Sequence, residues 1–168
     1  MNATPDTQAA GARSPGRVTG FFHASVTVRD METALRFYRD ALGFDLISLG
    51  PTGGPEASQI WNFDVAPGQA KVAFLRVPDS DVMVELFEFS GIEQHSASAR
   101  PCDYGGGHFC VYVDDAAAVH ERAVTHGFSS RSGGPVTISG GPHAGAKAVY
   151  LIDPDGYHVE LYERPGRV

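Results

Sequence analysis

The run HASVTVRD at 23–30 returns as HFCVYVDD at 108–115, each opened by a histidine, His23 or His108, with an acidic residue seven positions on, Asp30 or Asp115. Each run leads into a helical pattern ending at Gly-Phe, Gly43-Phe44 and Gly127-Phe128. Each half then closes on Val-Glu-Leu-aromatic-Glu, VELFE at 84–88 and VELYE at 159–163. One unit is therefore written twice, with a His near its start and a Glu, Glu85 or Glu160, near its end. Imidazole and carboxylate together are donors suited to a divalent metal.

Outward from these runs, residues 20–89 read as strand, helix, strand, strand, strand, interrupted by PTGGPEASQIWNFDVAPGQ at 51–69. Residues 90–106 link this first module to a second at 107–164, whose glycine-rich loop SGGPHAGA spans 139–146. Such loops commonly rim a pocket. Residues 1–19 hold almost no bulky apolar side chains to offset their ordering entropy and read as a flexible tail. The expected class is α+β, with two tandem βαβββ modules.

Strand parity assigns the faces. Alternate strand residues point to opposite sides, so Phe22, Ala24, Val26 and Val28 share one face while His23, Ser25 and Thr27 share the other. The second module repeats this, Phe109, Val111 and Val113 against His108, Cys110 and Tyr112. Asp30 can cap a helix whose Met31, Ala34, Leu35, Tyr38 and Leu42 recur at helical spacing, and Asp115 a second with Ala116, Val119 and Ala123. Those helices cover the oily face. Glu85 points with Met83 and Phe87, and Glu160 with His158 and Tyr162, onto the same uncovered face as the two histidines.

Composition excludes several classes. A net charge of −7 and a pI near 5.4 do not make a nucleic-acid footprint. No apolar stretch approaches the roughly 20 residues of a membrane span, and the start lacks the pattern of a signal peptide, so a cytoplasmic location is expected. Cys102 and Cys110 form neither a disulfide framework nor a paired zinc motif. With 42% hydrophobic residues in 168, the chain can bury one core.

The doubled unit, the H-x-x-x-x-V-x-D of the first strand, FYRDALGF in the first helix and DPDGYHVEL near the end resemble the vicinal oxygen chelate superfamily. That group contains glyoxalase I, methylmalonyl-CoA epimerase, extradiol dioxygenases and the fosfomycin and bleomycin resistance proteins. The resemblance implies a cup-shaped mixed sheet with helices on its convex side, and one divalent transition metal (Fe, Mn, Co, Ni or Zn) at its base. Carried over position by position, the ligands are His23, Glu85, His108 and Glu160. It also implies a small-molecule substrate and pairing as a homodimer, in which a cup can be built by one chain or by two.

The chemistry implied is removal of a proton beside a carbonyl, with Glu160 as first candidate for the base and Glu85 as its partner. If Glu160 only holds metal, His158 on the same face could serve as acid, base or donor. His143 in the 139–146 loop could close over substrate; His95, His120 and His126 fall on linker or helix positions and receive no role. Glutathione-using glyoxalases carry Arg and Asn four residues after the first and second ligands, where this chain has Thr27 and Phe89. A lyase, isomerase or epimerase that does not use glutathione is expected. The alternatives are an extradiol-type dioxygenase, or an antibiotic-binding protein whose cup is sheathed by Trp61, Phe63, Phe87, Phe89 and Tyr112.

Overall fold

In a computed structural model, residues 16–96 and 99–166 are described, so most of the expected tail lies outside the described residues. Module one contributes β1 (His23–Thr27), α1 (Met31–Leu35), β2 (Asp45–Thr52), α2 (Pro55–Trp61), β3 (Ala70–Arg76) and β4 (Met83–Phe89). Module two contributes β5 (His108–Val113), α3 (Ala116–Thr125), two short strands β6 (Ser129–Ser130) and β7 (Val136–Thr137), then β8 (Lys147–Ile152) and β9 (His158–Glu163). The expected mixed sheet resolves into two, ordered β1-β4-β3-β2 and β5-β9-β8-β6, with β7 also on β8. In each, the opening strand pairs parallel with the closing one, which sets the module's His and Glu on neighbouring strands.

Both helices start where the sequence indicates. Asp30 Oδ1 accepts from Thr33 N at 2.8 Å, and Asp115 Oδ1 from Ala117 N and Ala118 N at 2.9 and 3.0 Å. A second carboxylate completes each start: Met31 N donates to Glu88 Oε2 at 2.7 Å, and Ala116 N to Glu163 Oε2 at 2.9 Å. Lys71 and Lys147 pair with the same two glutamates at 2.8 and 2.7 Å. The repeated Val-Glu-Leu-aromatic-Glu thus has two purposes. Its first Glu lies on the inner face, and its last, three residues on, crosses to the other face and meets the positive end of a helix.

Three features depart from the sequence reading. The first helix widens into a π-helical turn over Arg36–Ala41, with Leu42 N bonded to Phe37 O at 3.0 Å, and consecutive Phe37 and Tyr38 are both fully buried. The interrupting segment folds into α2. Phe22 does not join the oily face: it precedes β1, where strand alternation has not begun, and it stacks on the inner-face Phe74 while 63% exposed.

A shared core joins the modules. Phe37 meets Phe128 edge-on at 5.0 Å, Tyr38 stacks with Phe109 at 6.4 Å, and Arg122 Nε donates to Ala41 O at 2.6 Å. At its centre the Tyr38 hydroxyl donates to Asp153 Oδ2 at 2.9 Å, while Asp153 Oδ1 accepts from the backbone of Asp155 and Tyr157 at 2.9 and 2.7 Å. The DPDG turn is thereby tied to the first helix. No helix among the described residues is long and apolar enough to cross a membrane.

Burial raises Asp153 above the usual carboxylate range, and the donors from Tyr157 and Tyr38 pull it back by favouring the ionised form. Tyr38→Phe should therefore lower unfolding free energy by about 1–3 kcal/mol at pH 7. The deficit should narrow as pH falls through the raised pKa, because the protonated carboxyl depends less on that donor. Urea denaturation at several pH values reads both effects; a deficit that grows on acidification contradicts this account.

Candidate active site

Register fixes the inner face row by row. In module one, His23 lies opposite Met83 and Met83 opposite Arg76; Ser25, Glu85 and Phe74 form the next row, and Thr27, Phe87 and Val72 the third. In module two the same rows are His108, His158 and Ile152; Cys110, Glu160 and Tyr150; Tyr112, Tyr162 and Ala148. Each histidine is thus one row from its glutamate on the adjacent strand. His23 Nε2 lies 3.3 Å from Glu85 Oε2, and His108 Nε2 lies 3.2 Å from Glu160 Oε2. His23, Glu85 and Glu160 are partly buried and His108 is exposed.

Imidazole nitrogen with carboxylate oxygen fits a first-row divalent ion, so the donor chemistry of each pair suits a metal. The arrangement supplies donors two at a time. Among the described residues of one chain, no three His, Cys, Asp or Glu come together as a cluster able to hold an ion. His23 is wedged against the Phe22 and Phe74 rings at 4.8 and 5.8 Å, which leaves its Nδ1 buried without an acceptor.

Duplicated backbones carry different walls. Phe74 and Phe87 of module one stand where module two has Tyr150 and Tyr162, and Met83 where it has His158. On module one, α2 lays Trp61 across the face, 5.1 Å from Phe87 and 5.2 Å from Phe89, and Phe63 extends the patch at 5.7 Å from Phe89. Phe89 therefore belongs to an apolar wall. On module two, the Tyr150 hydroxyl lies 3.4 Å from His108 Nε2, and His143 Nδ1 lies 2.7 Å from the Tyr162 hydroxyl, bringing the 139–146 loop over this face.

Groups beside Glu160 keep their protons. Burial first, then the Glu160 charge, pushes the Cys110 thiol up to about 12, and the same two influences raise Tyr150. The Cys110 thiol is a donor toward the carboxylate and a poor nucleophile at neutral pH, while the Tyr150 hydroxyl stays protonated beside His108. Burial, followed by the charges of Arg131 and His108, lowers His158 and keeps its ring neutral. Arg131 Nε donates to His158 Nε2 at 2.8 Å.

Sequence parity located His23, Glu85, His108, Glu160 and His158 on the inner faces. It missed Tyr150, which opens no motif, and Arg131, which lies beyond a two-residue strand with no period to read. His120 bonds Ser130 at 2.9 Å, and His95 is an exposed neighbour of Glu93.

Residues 20–161 match the Glyoxalase/Bleomycin resistance protein/Dioxygenase superfamily, and the chain belongs to it. Among its relatives is a 2-epi-5-epi-valiolone epimerase of Actinomyces sp., 32% identical across 92% of this chain and 84% of that protein. Lactoylglutathione lyase of Haemophilus influenzae is 30% identical across 84% of this chain and 90% of its own. Among solved structures, a glyoxalase family protein from Bacillus cereus superposes with a TM-score of 0.74 at 19% identity, covering 92% of this chain and all of that one (100%), which shows the shared fold.

The aromatic wall depends on one glycine. Gly53 has φ +124°, and a Cβ there would lie 2.2 Å from Ala66 O, so the backbone of 53 and 66 close together only without a side chain. Gly53→Ala should displace α2 and red-shift the emission of Trp61, the chain's single tryptophan, with the sheets intact by circular dichroism. Unchanged emission would show that the close approach does not hold Trp61 in place.

Proposed function

We propose that the protein is a divalent-metal-dependent lyase, isomerase or epimerase of the glyoxalase I type, which removes the proton on a carbon beside the carbonyl of a small oxygenated metabolite. The observation that carries this reading is the recurrence of one His–Glu pair, at 3.3 and 3.2 Å, in both copies of a duplicated unit. Epimerisation is favoured within that class. One relative is an epimerase by name, and Thr27 and Phe89 replace the Arg and Asn of glutathione-using enzymes, Phe89 being committed to an aromatic wall.

In this reading the metal ligands are His23 and Glu85 of one chain with His108 and Glu160 of a second copy, forming a homodimer with two sites. Two observations support it. A single chain brings its donors together in pairs only, among the described residues. The strands bearing the histidines, β1 and β5, are each the edge of a sheet, with backbone groups open to another strand.

The ion held there, one of Fe, Mn, Co, Ni or Zn, would supply positive charge beside the substrate oxygen that becomes negative on deprotonation. Glu160 takes the proton as the C–H electron pair moves into an enolate. Glu85 from the facing module, protonated at the start of the cycle, gives that proton to the opposite side of the same carbon, restoring the carbonyl with inverted configuration, and exchange with solvent returns both carboxyls to their starting states. Return to the neighbouring carbon instead is isomerisation. Cys110, protonated, gives Glu160 a donor, Tyr150 stays protonated beside His108, and neutral His158 is a further donor on the same face. The apolar wall of Trp61, Phe63, Phe87 and Phe89 excludes water from the enolate.

Elemental analysis after reconstitution with each ion tests the site: about one transition metal per chain is expected in the wild type, and less in Glu85→Gln, His108→Ala and Glu160→Ala at unchanged melting temperature. Failure to retain any of the five ions overturns the reading. Deuterium uptake from D2O at the carbon beside the carbonyl, followed by NMR over a panel of 2-hydroxy ketones, then identifies substrates; the uptake should vanish in Glu160→Ala.

A further inference from the structure

Within the matched rows of the two inner faces, the repeat is broken by a buried polar group at one position. Module one fills the position beside its histidine with Met83; module two fills it with His158, only 3% exposed. Met83 demonstrates that the fold is satisfied by an apolar side chain, while an imbedded imidazole must be compensated by hydrogen bonds. One of these is given by Arg131, which lies after β6 and whose guanidinium is otherwise exposed.

The chemistry of that bond is one-directional. An arginine Nε carries a hydrogen and has no lone pair to accept with, and the guanidinium stays protonated in proteins. His158 Nε2 must therefore be the acceptor, which leaves the proton of the neutral ring on Nδ1. No acceptor among the described residues takes that Nδ1–H. The ring stands on the inner face of β9, two residues before Glu160 and directly opposite His108.

We propose that Arg131 is a positioning residue: it holds His158 as the Nδ1–H tautomer, so that a fixed donor beside Glu160 binds an uncharged oxygen, a carbonyl or hydroxyl, of the substrate. The substrate then carries such an oxygen acceptor near the carbon that loses its proton, as a hydroxy ketone does. The donor's role in turnover rests on the metal-enzyme reading above; the tautomer does not.

The tautomer is read directly by long-range 1H–15N correlation spectra of the uniformly 15N-labelled, metal-free protein, with His158 assigned by its absence from His158→Met. Wild-type His158 should show a protonated Nδ1 and a pyridine-type Nε2. Arg131→Ala and Arg131→Met, both at an exposed position, should convert the ring to the Nε2–H form or to exchange between the two. An Nε2–H ring in the wild type, or an Nδ1–H ring that survives both substitutions, overturns the proposal. With a substrate found by deuterium uptake, Arg131→Ala and His158→Met should each lower kcat about 10- to 100-fold with KM nearly unchanged, and the double variant should be no worse than His158→Met. Additive losses, or a loss of bound metal, contradict a positioning role. Absence of metal or of any substrate overturns the enzymatic reading while leaving the tautomer result to decide the role of Arg131.

Discussion

Alternation of side chains along the two closing strands is the constraint on which the rest of this structure depends. In β4, Glu85 faces inward and Glu88 outward; in β9, Glu160 and Glu163 do the same. The outward members receive the first amides of α1 and α3 and pair with Lys71 and Lys147, which fixes each helix against the back of its sheet. The inward members meet His23 and His108. A slip of one residue in either strand would exchange these two roles, placing a carboxylate in the core and emptying the site. Helix anchoring and site chemistry are thus set by the same register.

The joint between modules carries a second load. Tyr38 and Asp153 are a buried hydroxyl–carboxylate pair drawn from the first helix and from the turn that begins the last strand. Because Asp153 also binds the backbone of Asp155 and Tyr157, it fixes the entry of β9 and with it the positions of His158 and Glu160. The site of module two is therefore positioned partly by module one of the same chain. The inner faces, by contrast, diverge where the scaffold does not need them alike: phenylalanines and a methionine on one, tyrosines and a histidine on the other. A ligand lying between two such walls has an apolar side and an oxygen-bearing side.

Much of this was legible in the sequence because its signals have short periods. Two-residue alternation gave the faces of His23, Glu85, His108 and Glu160, and helical spacing after Asp30 and Asp115 gave the caps and the buried residues of α1 and α3. What escaped was set by longer range. The segment at 51–69 is broken by glycines and prolines, yet Gly53 allows a close backbone approach that seats α2. The strands β6 and β7 are two residues each, too short for any period to register. Glu88 and Glu163 stood in the repeat, but their helix partners lie 57 and 47 residues away. The grouping of four candidate ligands into two pairs follows from strand order, which local pattern does not encode.

The central claim, that one site is assembled from the first module of one chain and the second module of another, is tested most directly by complementation. Chains carrying His23→Ala and Glu85→Ala are mixed with chains carrying His108→Ala and Glu160→Ala, and subunits are exchanged by mild denaturation and refolding. Each parent should bind little metal. In the mixture half the dimers are mixed, and each has one intact and one doubly damaged site, so metal binding should recover to about a quarter of wild type. No recovery, with mixed dimers verified by native mass spectrometry, would contradict assembly across chains and place all four residues of a site within one.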